Sequence, residues 1–305
     1  MRLLTRSDFD GLACAVLLKD VGLIDRYQFV HPKDIQDGKV EVADNDVLAN
    51  VPFVPGCGLW FDHHTSEGKR LTELGAYEGD YREAPSCARV IWDFYGGENT
   101  FDEHFLPLME AVDKSDSGDL HADDIENPRD WILLSYVMDP RTGLGRYKDY
   151  RISNYQLMED MVEHCRNRTI GEILALPDVT ERVSRYYEQT GLFRAMLRKR
   201  AHQDENVVAI DLRDQEEIYA GNRFVVYTMF PETNVSLQMQ WGFQKQNIVI
   251  NCGHSVTNRS CQTDVGSLML EYGGGGHRKV GSCQIPVDKA EAAFAEIMAR
   301  LKETG

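Results

Sequence analysis

Gly58-Leu59-Trp60-Phe61-Asp62-His63-His64 runs from an apolar stretch straight into three potential metal ligands. The apolar residues predict a short strand, with Trp60 and Phe61 in the core. A carboxylate and two imidazoles at the carboxyl end of a strand need partners, and a divalent cation is the usual one. Near the N-terminus, Arg2-Leu3-Leu4-Thr5 predicts a second buried strand, which leads through Arg6-Ser7 into Asp8-Phe9-Asp10-Gly11-Leu12. In open α/β sheets, ligands gather at the carboxyl ends of parallel strands. Two acidic strand ends on one sheet therefore face one crevice.

Outward from these stretches, strands and helices alternate. Gly11 to Leu18 is apolar nearly all round and predicts a packed helix. Tyr27 to His31 and Asp46 to Phe53 read as strands. Ser86 is a good cap for a helix through Tyr95, closed by Gly96-Gly97. This alternation predicts a parallel sheet. From Phe101 to Arg200 the spacing is helical, ending in a charged helix over Glu181 to Gln203. Beyond it, Asn206 to Leu212, Arg223 to Met229 and Asn247 to Cys252 read as strands. The expectation is an α/β protein with an N-terminal parallel-sheet domain over 1–180, a helical connector over 181–205 and a smaller mixed-sheet domain over 206–305.

The 305 residues suffice for two domains, and a hydrophobic content of 42% marks an ordinary globular chain. A net charge of −16 argues against holding a long nucleic acid by bulk electrostatics. Seven cysteines, an odd number at wide spacing with no Cys-x-x-Cys, read as reduced thiols. No apolar run reaches transmembrane length, and no signal peptide precedes the first strand. The expectation is a cytoplasmic protein without a membrane partner.

Asp8 and Asp10 flank Phe9, and Gly11 permits a tight strand-to-helix turn that projects both carboxylates into the crevice. Two carboxylates this close repel each other, and a divalent metal relieves the repulsion. A third acidic cluster, Glu110-Ala111-Val112-Asp113-Lys114-Ser115-Asp116-Ser117-Gly118-Asp119, follows an apolar helix. Four glycines, Gly273 to Gly276, let the backbone approach a ligand with its amides, and His277-Arg278 adds a donor and a permanent cation. Arg259 offers a further phosphate clamp.

In order and spacing these clusters resemble the DHH phosphoesterase family. Asp8-Phe9-Asp10-Gly11 matches its first motif, Asp62-His63-His64 its third and Val112-Asp113-Lys114-Ser115-Asp116 its fourth. Glu271-Tyr272-Gly273-Gly274-Gly275-Gly276-His277-Arg278 resembles the DHH-associated C-terminal domain. Two positions depart from the pattern. Arg6 stands where some members carry a histidine, and Asn50 stands at the strand end where the second motif usually has Asp. Asp46 or Asp44 fills that place if the register differs.

The resemblance implies a metal set of Asp8, Asp10, Asn50, Asp62, His63 and Asp113, with Asp10, His63 and Asp113 holding the firmest ion. Carboxylates with imidazole suit Mn2+, as one ion or two, with Mg2+ or Co2+ as alternatives. It further implies catalytic roles for His64, at the phosphoryl group, for Asp8, close to the metal, and for Arg6, clamping a phosphate oxygen in place of a missing cation's charge. Gly273 to Gly276, His277, Arg278 and Arg259 would hold substrate, and the site would lie in the cleft between domains. The expected activity is hydrolysis of small phosphodiesters: short oligonucleotides, linear or cyclic nucleotides. Phosphoanhydride hydrolysis, or a nucleotide sensor with impaired catalysis, are the rivals. A homodimer is compatible with all three.

Overall fold

The computed structural model describes residues 1–64, 67 and 75–305. Five strands, β1 (Arg2–Arg6), β2 (Arg26–Val30), β3 (Asp46–Ala49), β4 (Leu59–Asp62) and β5 (Gly79–Tyr81), form a sheet of order β2-β1-β3-β4-β5. Every pairing in it is parallel. Its central strands are continuous apolar runs. Leu3, Leu4, Val47, Leu48, Trp60 and Phe61 are wholly buried, as a parallel sheet covered on both faces requires.

Helices α1 (Phe9–Asp20), α2 (Cys87–Phe94), α3 (Leu106–Ser117), α4 (Asp130–Met138) and α5 (Asn154–Asn167) accompany the sheet. Helix α1 is buried from Phe9 to Leu18 and packs on α2, α3 and α5. All four strand ends β1 to β4 point the same way, so the Asp8 and Asp62 ends share one edge of the sheet. Strand β3 is shorter than the Asp46 to Phe53 run suggests. Asn50 adopts a left-handed backbone with φ of 57°, which ends the ladder before Pro52.

Helix α6 (Pro177–Arg200) continues into β6 (Ala201–Asp204), so the expected connector ends in a strand. Strands β6, β7 (Val207–Asp211), β8 (Val235–Trp241), β9 (Ile248–His254), β10 (Gly275–His277) and β11 (Val280–Ile285) form a second, mixed sheet of order β10-β11-β9-β8-β7-β6. Only β7 and β8 pair in parallel. Strands β8, β9 and β11 alternate buried and accessible residues. The buried set, including Leu237 and Ile250, packs with residues of α7 (Val265–Glu271) and α8 (Ala290–Thr304) such as Val265 and Ile297. Arg223 to Met229, expected as a strand, is a short helix over Val225–Met229. The Asn222 side chain accepts from the Phe224 amide at 3.0 Å and starts that turn, overriding the β-branched pair.

Two compact units result: Met1–Asp119 with Pro128–Arg185, and Leu120–Asn127 with Tyr186–Gly305. All seven cysteines are free thiols. Among the described residues no helix is long and apolar enough to cross a membrane.

Candidate metal centre

Asp8 caps α1, its Oδ1 accepting from the Gly11 amide at 3.0 Å. Gly11 is obligatory, because a Cβ there would stand 1.9 Å from the Arg6 carbonyl oxygen. The same Asp8 oxygen accepts from Asn50 Nδ2 at 3.0 Å, and its Oδ2 pairs with Arg6 Nε at 2.9 Å. Burial raises the Asp8 pKa, and the Arg6 charge works against that rise.

Asp10, in the first turn of α1, sends its carboxylate to the N-terminus of α2. Its Oδ2 accepts from the Cys87 amide at 2.9 Å and its Oδ1 from the Ala88 amide at 2.8 Å. These are orphan helix donors, so they hold an anion well. Burial first, and the nearby Asp116 charge second, push the Asp10 pKa up to about 7, with His63 opposing.

At the end of β4, Asp62 Oδ1 accepts from the His63 amide at 2.7 Å, the His64 amide at 3.3 Å and His64 Nδ1 at 2.6 Å. Burial lowers the His64 pKa, but the bond to Asp62 and its charge outweigh this and push it up to about 9. His63 Nδ1 lies 3.1 Å from the Ala84 carbonyl. A carbonyl only accepts, so Nδ1 carries the hydrogen and Nε2 faces inward, where the neutral ring offers a lone pair. That Nε2 stands 3.7 Å from Asp10 Oδ2 and 3.2 Å from Asp116 Oδ2, buried and without a hydrogen bond. The three ligand atoms lie within 4.8 Å of one another. Two carboxylates facing one point repel each other, and a divalent cation bound between them and the imidazole nitrogen would relieve that repulsion. A histidine whose other nitrogen is anchored on a carbonyl is how metal-bound histidines are oriented. The donor set fits a divalent ion.

The third member of that group is Asp116, where the fourth motif suggested Asp113. Both oxygens of Asp113 are engaged: Oδ1 accepts from Ser86 Oγ at 2.7 Å, and Oδ2 from Arg89 Nε at 2.9 Å and Nη2 at 2.6 Å. Asp113 thus braces the start of α2. Asp116, one turn later on α3, turns to the centre, and the i, i+3 spacing on one helix face was the available signal. Asp62 likewise spends its Oδ1 on the two histidines and acts as their scaffold.

Asn50 takes the second-motif place, next to Asp8, and its buried Oδ1 has no hydrogen bond. Asp46 lies at the opposite end of the strand, held by Arg2 Nε at 2.8 Å and Arg2 Nη2 at 2.7 Å. Asp44 is exposed. Arg141 carried no sequence signal. Its Nε pairs with Asp139 Oδ1 at 2.8 Å, and its charge acts on both Asp8 and Asp116.

The other expected residues belong to the second unit. The Gly273 and Gly274 amides donate to the Leu270 and Met269 carbonyls at 3.0 Å, so they cap α7 and are not left to cradle phosphate. Gly276 begins no loop either, since Gly275–His277 pairs with β11. A Cβ on Gly274 would stand 2.0 Å from the Ser282 oxygen and one on Gly276 2.2 Å from the Val280 oxygen, whereas one on Gly275 meets nothing within 4 Å. His277 and Arg278 are exposed, and Arg259 Nε donates to the Val256 carbonyl at 3.0 Å.

No protein-family model matches the chain, and no curated protein matches it in sequence. Among solved structures, it is similar to a pGpG-specific phosphodiesterase from Vibrio cholerae, at 46% identity and a TM-score of 0.86. That match covers 100% of this chain and 99% of the other. An exopolyphosphatase-related protein from Bacteroides fragilis aligns at 12% identity and a TM-score of 0.52, over 99% of this chain and 92% of that one. The DHH domain of a member of a family of ribosomal proteins aligns at 13% identity and a TM-score of 0.54, over 99% and 87%. The last two share the fold.

Proposed function

The chain belongs to the DHH phosphoesterase family and is a phosphoric ester hydrolase, and on that premise we propose that it cleaves small phosphodiesters, a linear guanine dinucleotide such as pGpG first among them. The carrying observation is the buried, unbonded His63 Nε2 facing Asp10 and Asp116. The full-length likeness to a pGpG-specific phosphodiesterase supports the substrate class.

In this reading Asp10, His63 and Asp116 hold one divalent cation, with Mn2+ favoured by the mixed oxygen and nitrogen donors and Mg2+ or Co2+ as alternatives. When bound, it supplies the charge that polarises a phosphoryl oxygen and lowers the pKa of water. The α2 amides keep Asp10 oriented, and the Ala84 carbonyl fixes the His63 tautomer. His64, kept protonated by Asp62, carries a proton at Nε2 for the leaving oxygen. Arg6 neutralises Asp8 where a second cation would otherwise sit, and with Arg141 it steadies the phosphate's charge.

Gly275, His277, Arg278 and Arg259 bind the substrate in the same reading. Neither packing nor backbone conformation requires glycine at 275, and that supports close ligand approach there. The net charge of −16 favours a short substrate over a long strand. Seven free cysteines agree with a cytoplasmic location.

The test is turnover of pGpG by the purified protein with Mn2+, beside His63→Ala. Hydrolysis to GMP, lost in the variant together with metal binding, is the expected result. Metal and nucleotide binding with no turnover of any small phosphodiester would overturn the hydrolase reading in favour of a sensor.

A further inference from the structure

We propose that the first unit carries a guanine subsite beside its metal centre, formed by Arg146 and Asn154 over Tyr155 and Met158. The inference rests on the phosphodiesterase reading and extends it to the base that the substrate presents.

A cavity of about 240 Å3 is lined by these four residues together with Ser7 and Asp139. Two of the six tie it to the metal centre. Ser7 lies between Arg6 and Asp8 in the chain, and Asp139 holds Arg141, whose charge acts on Asp8 and Asp116. Sites for whole drug-sized ligands run from roughly 300 to 1,000 Å3. The cavity therefore suits one heterocyclic base rather than a dinucleotide.

Its walls are chosen for a flat ring. Tyr155 is 47% exposed, and its ring is held edge-on by Phe29 at 6.5 Å and 85°. Met158 is buried at 3% exposure and gives a polarisable surface. An exposed aromatic fixed by a neighbour is a stacking platform for a base.

The polar lining offers donors. Arg182 is buried to 1% at its side chain, and its Nε donates to Asn154 Oδ1 at 2.9 Å. A guanidinium has no acceptor, so it settles which way the Asn154 amide faces. The oxygen is taken and Nδ2 is the end left for a ligand. Arg182 spends its other nitrogens on the Asp178 and Ile152 carbonyls and on Glu181, which makes the arrangement rigid. Arg146 anchors only its Nε, on the Gly143 carbonyl at 3.1 Å, and its Nη atoms have no hydrogen-bond partner among the described residues. Guanine presents two acceptors on one edge, O6 and N7, whereas adenine places an amino donor beside N7. Donors facing donors reject adenine.

The test is calorimetric binding of GMP and AMP to the full-length protein, in the wild type, Arg146→Ala and Tyr155→Ala, alongside turnover of pGpG and pApA. Both side chains are exposed, and circular dichroism checks that the variants fold. The wild type is expected to prefer GMP over AMP about tenfold or more. Arg146→Ala should lose that preference, and Tyr155→Ala should weaken both nucleotides. Absence of GMP binding by the wild type, or an unchanged GMP to AMP ratio in Arg146→Ala, overturns the subsite. If Arg146-dependent GMP preference is found while no dinucleotide is turned over, the subsite stands and the hydrolase reading falls.

Discussion

Asp113 and Asp116 are identical side chains three residues apart with different tasks. Asp113 neutralises Arg89 and receives Ser86, while Asp116 faces His63. Asp116→Asn should therefore lower Mn2+ affinity by about a hundredfold or more, since even outer partners of a metal site are worth roughly 10–100-fold. Asp113→Asn should bind metal nearly as the parent does but lose about 1–3 kcal/mol of stability, the worth of hydrogen bonds to a charged group. Metal titration and urea unfolding of the two variants separate these roles, and the reverse pattern would restore Asp113 as the ligand. His64 offers a pH test on the metal-free protein. Its folded pKa of about 9 lies above the unfolded value of 6.5. The charged His64–Asp62 pair thus contributes stability in full below about pH 6.5 and loses it as pH rises through about 9. The gap in Tm between the wild type and His64→Gln should be widest near pH 6 and close by pH 10; a gap that is flat with pH contradicts the assignment.

At the scale of elements, the glycine run is a hairpin edge more than a loop. Gly274 and Gly276 are there because β11 backbone comes too close for a side chain, and Gly275 is not. Gly274→Ala should cost about 1–3 kcal/mol, as overpacking does. Gly275→Ala should stay within about 0.5 kcal/mol of the parent yet raise KM for pGpG several-fold. Thermal unfolding and steady-state kinetics on the pair decide it, and an unchanged KM would remove Gly275 from the substrate site. The Ser86 cap of α2 was legible because an N-cap serine is a local signal, and its Oγ indeed accepts from the Arg89 amide at 3.0 Å. The helix over Val225–Met229 was not, because its start depends on the Asn222 side-chain turn against two β-branched residues that read as strand.

For the whole molecule, the proposed reading, in which Arg6 neutralises Asp8, calls for a single cation. Elemental analysis should find one divalent ion per chain, and Mn2+ at a hundred times its Kd should stabilise the wild type by about 2.7 kcal/mol. His63→Ala should show neither. Two ions per chain would mean that Asn50, with its unbonded Oδ1, completes a second site despite Arg6.

The sequence by itself determined the carboxyl ends of β1 and β4, because apolar runs closed by acids and histidines are local patterns whose periodicity and position say which residues reach the edge of a parallel sheet. It likewise marked Asp8, Asp10, His63 and the acidic cluster that contains Asp116. The tertiary structure alone decided which carboxylate of α3 meets His63, that Asn50 and not Asp46 stands beside Asp8, and that Arg141 joins them. Those outcomes depend on helix rotation, strand register and the return of a distant turn. Such quantities are set by how separate elements pack, and no local stretch of residues encodes them.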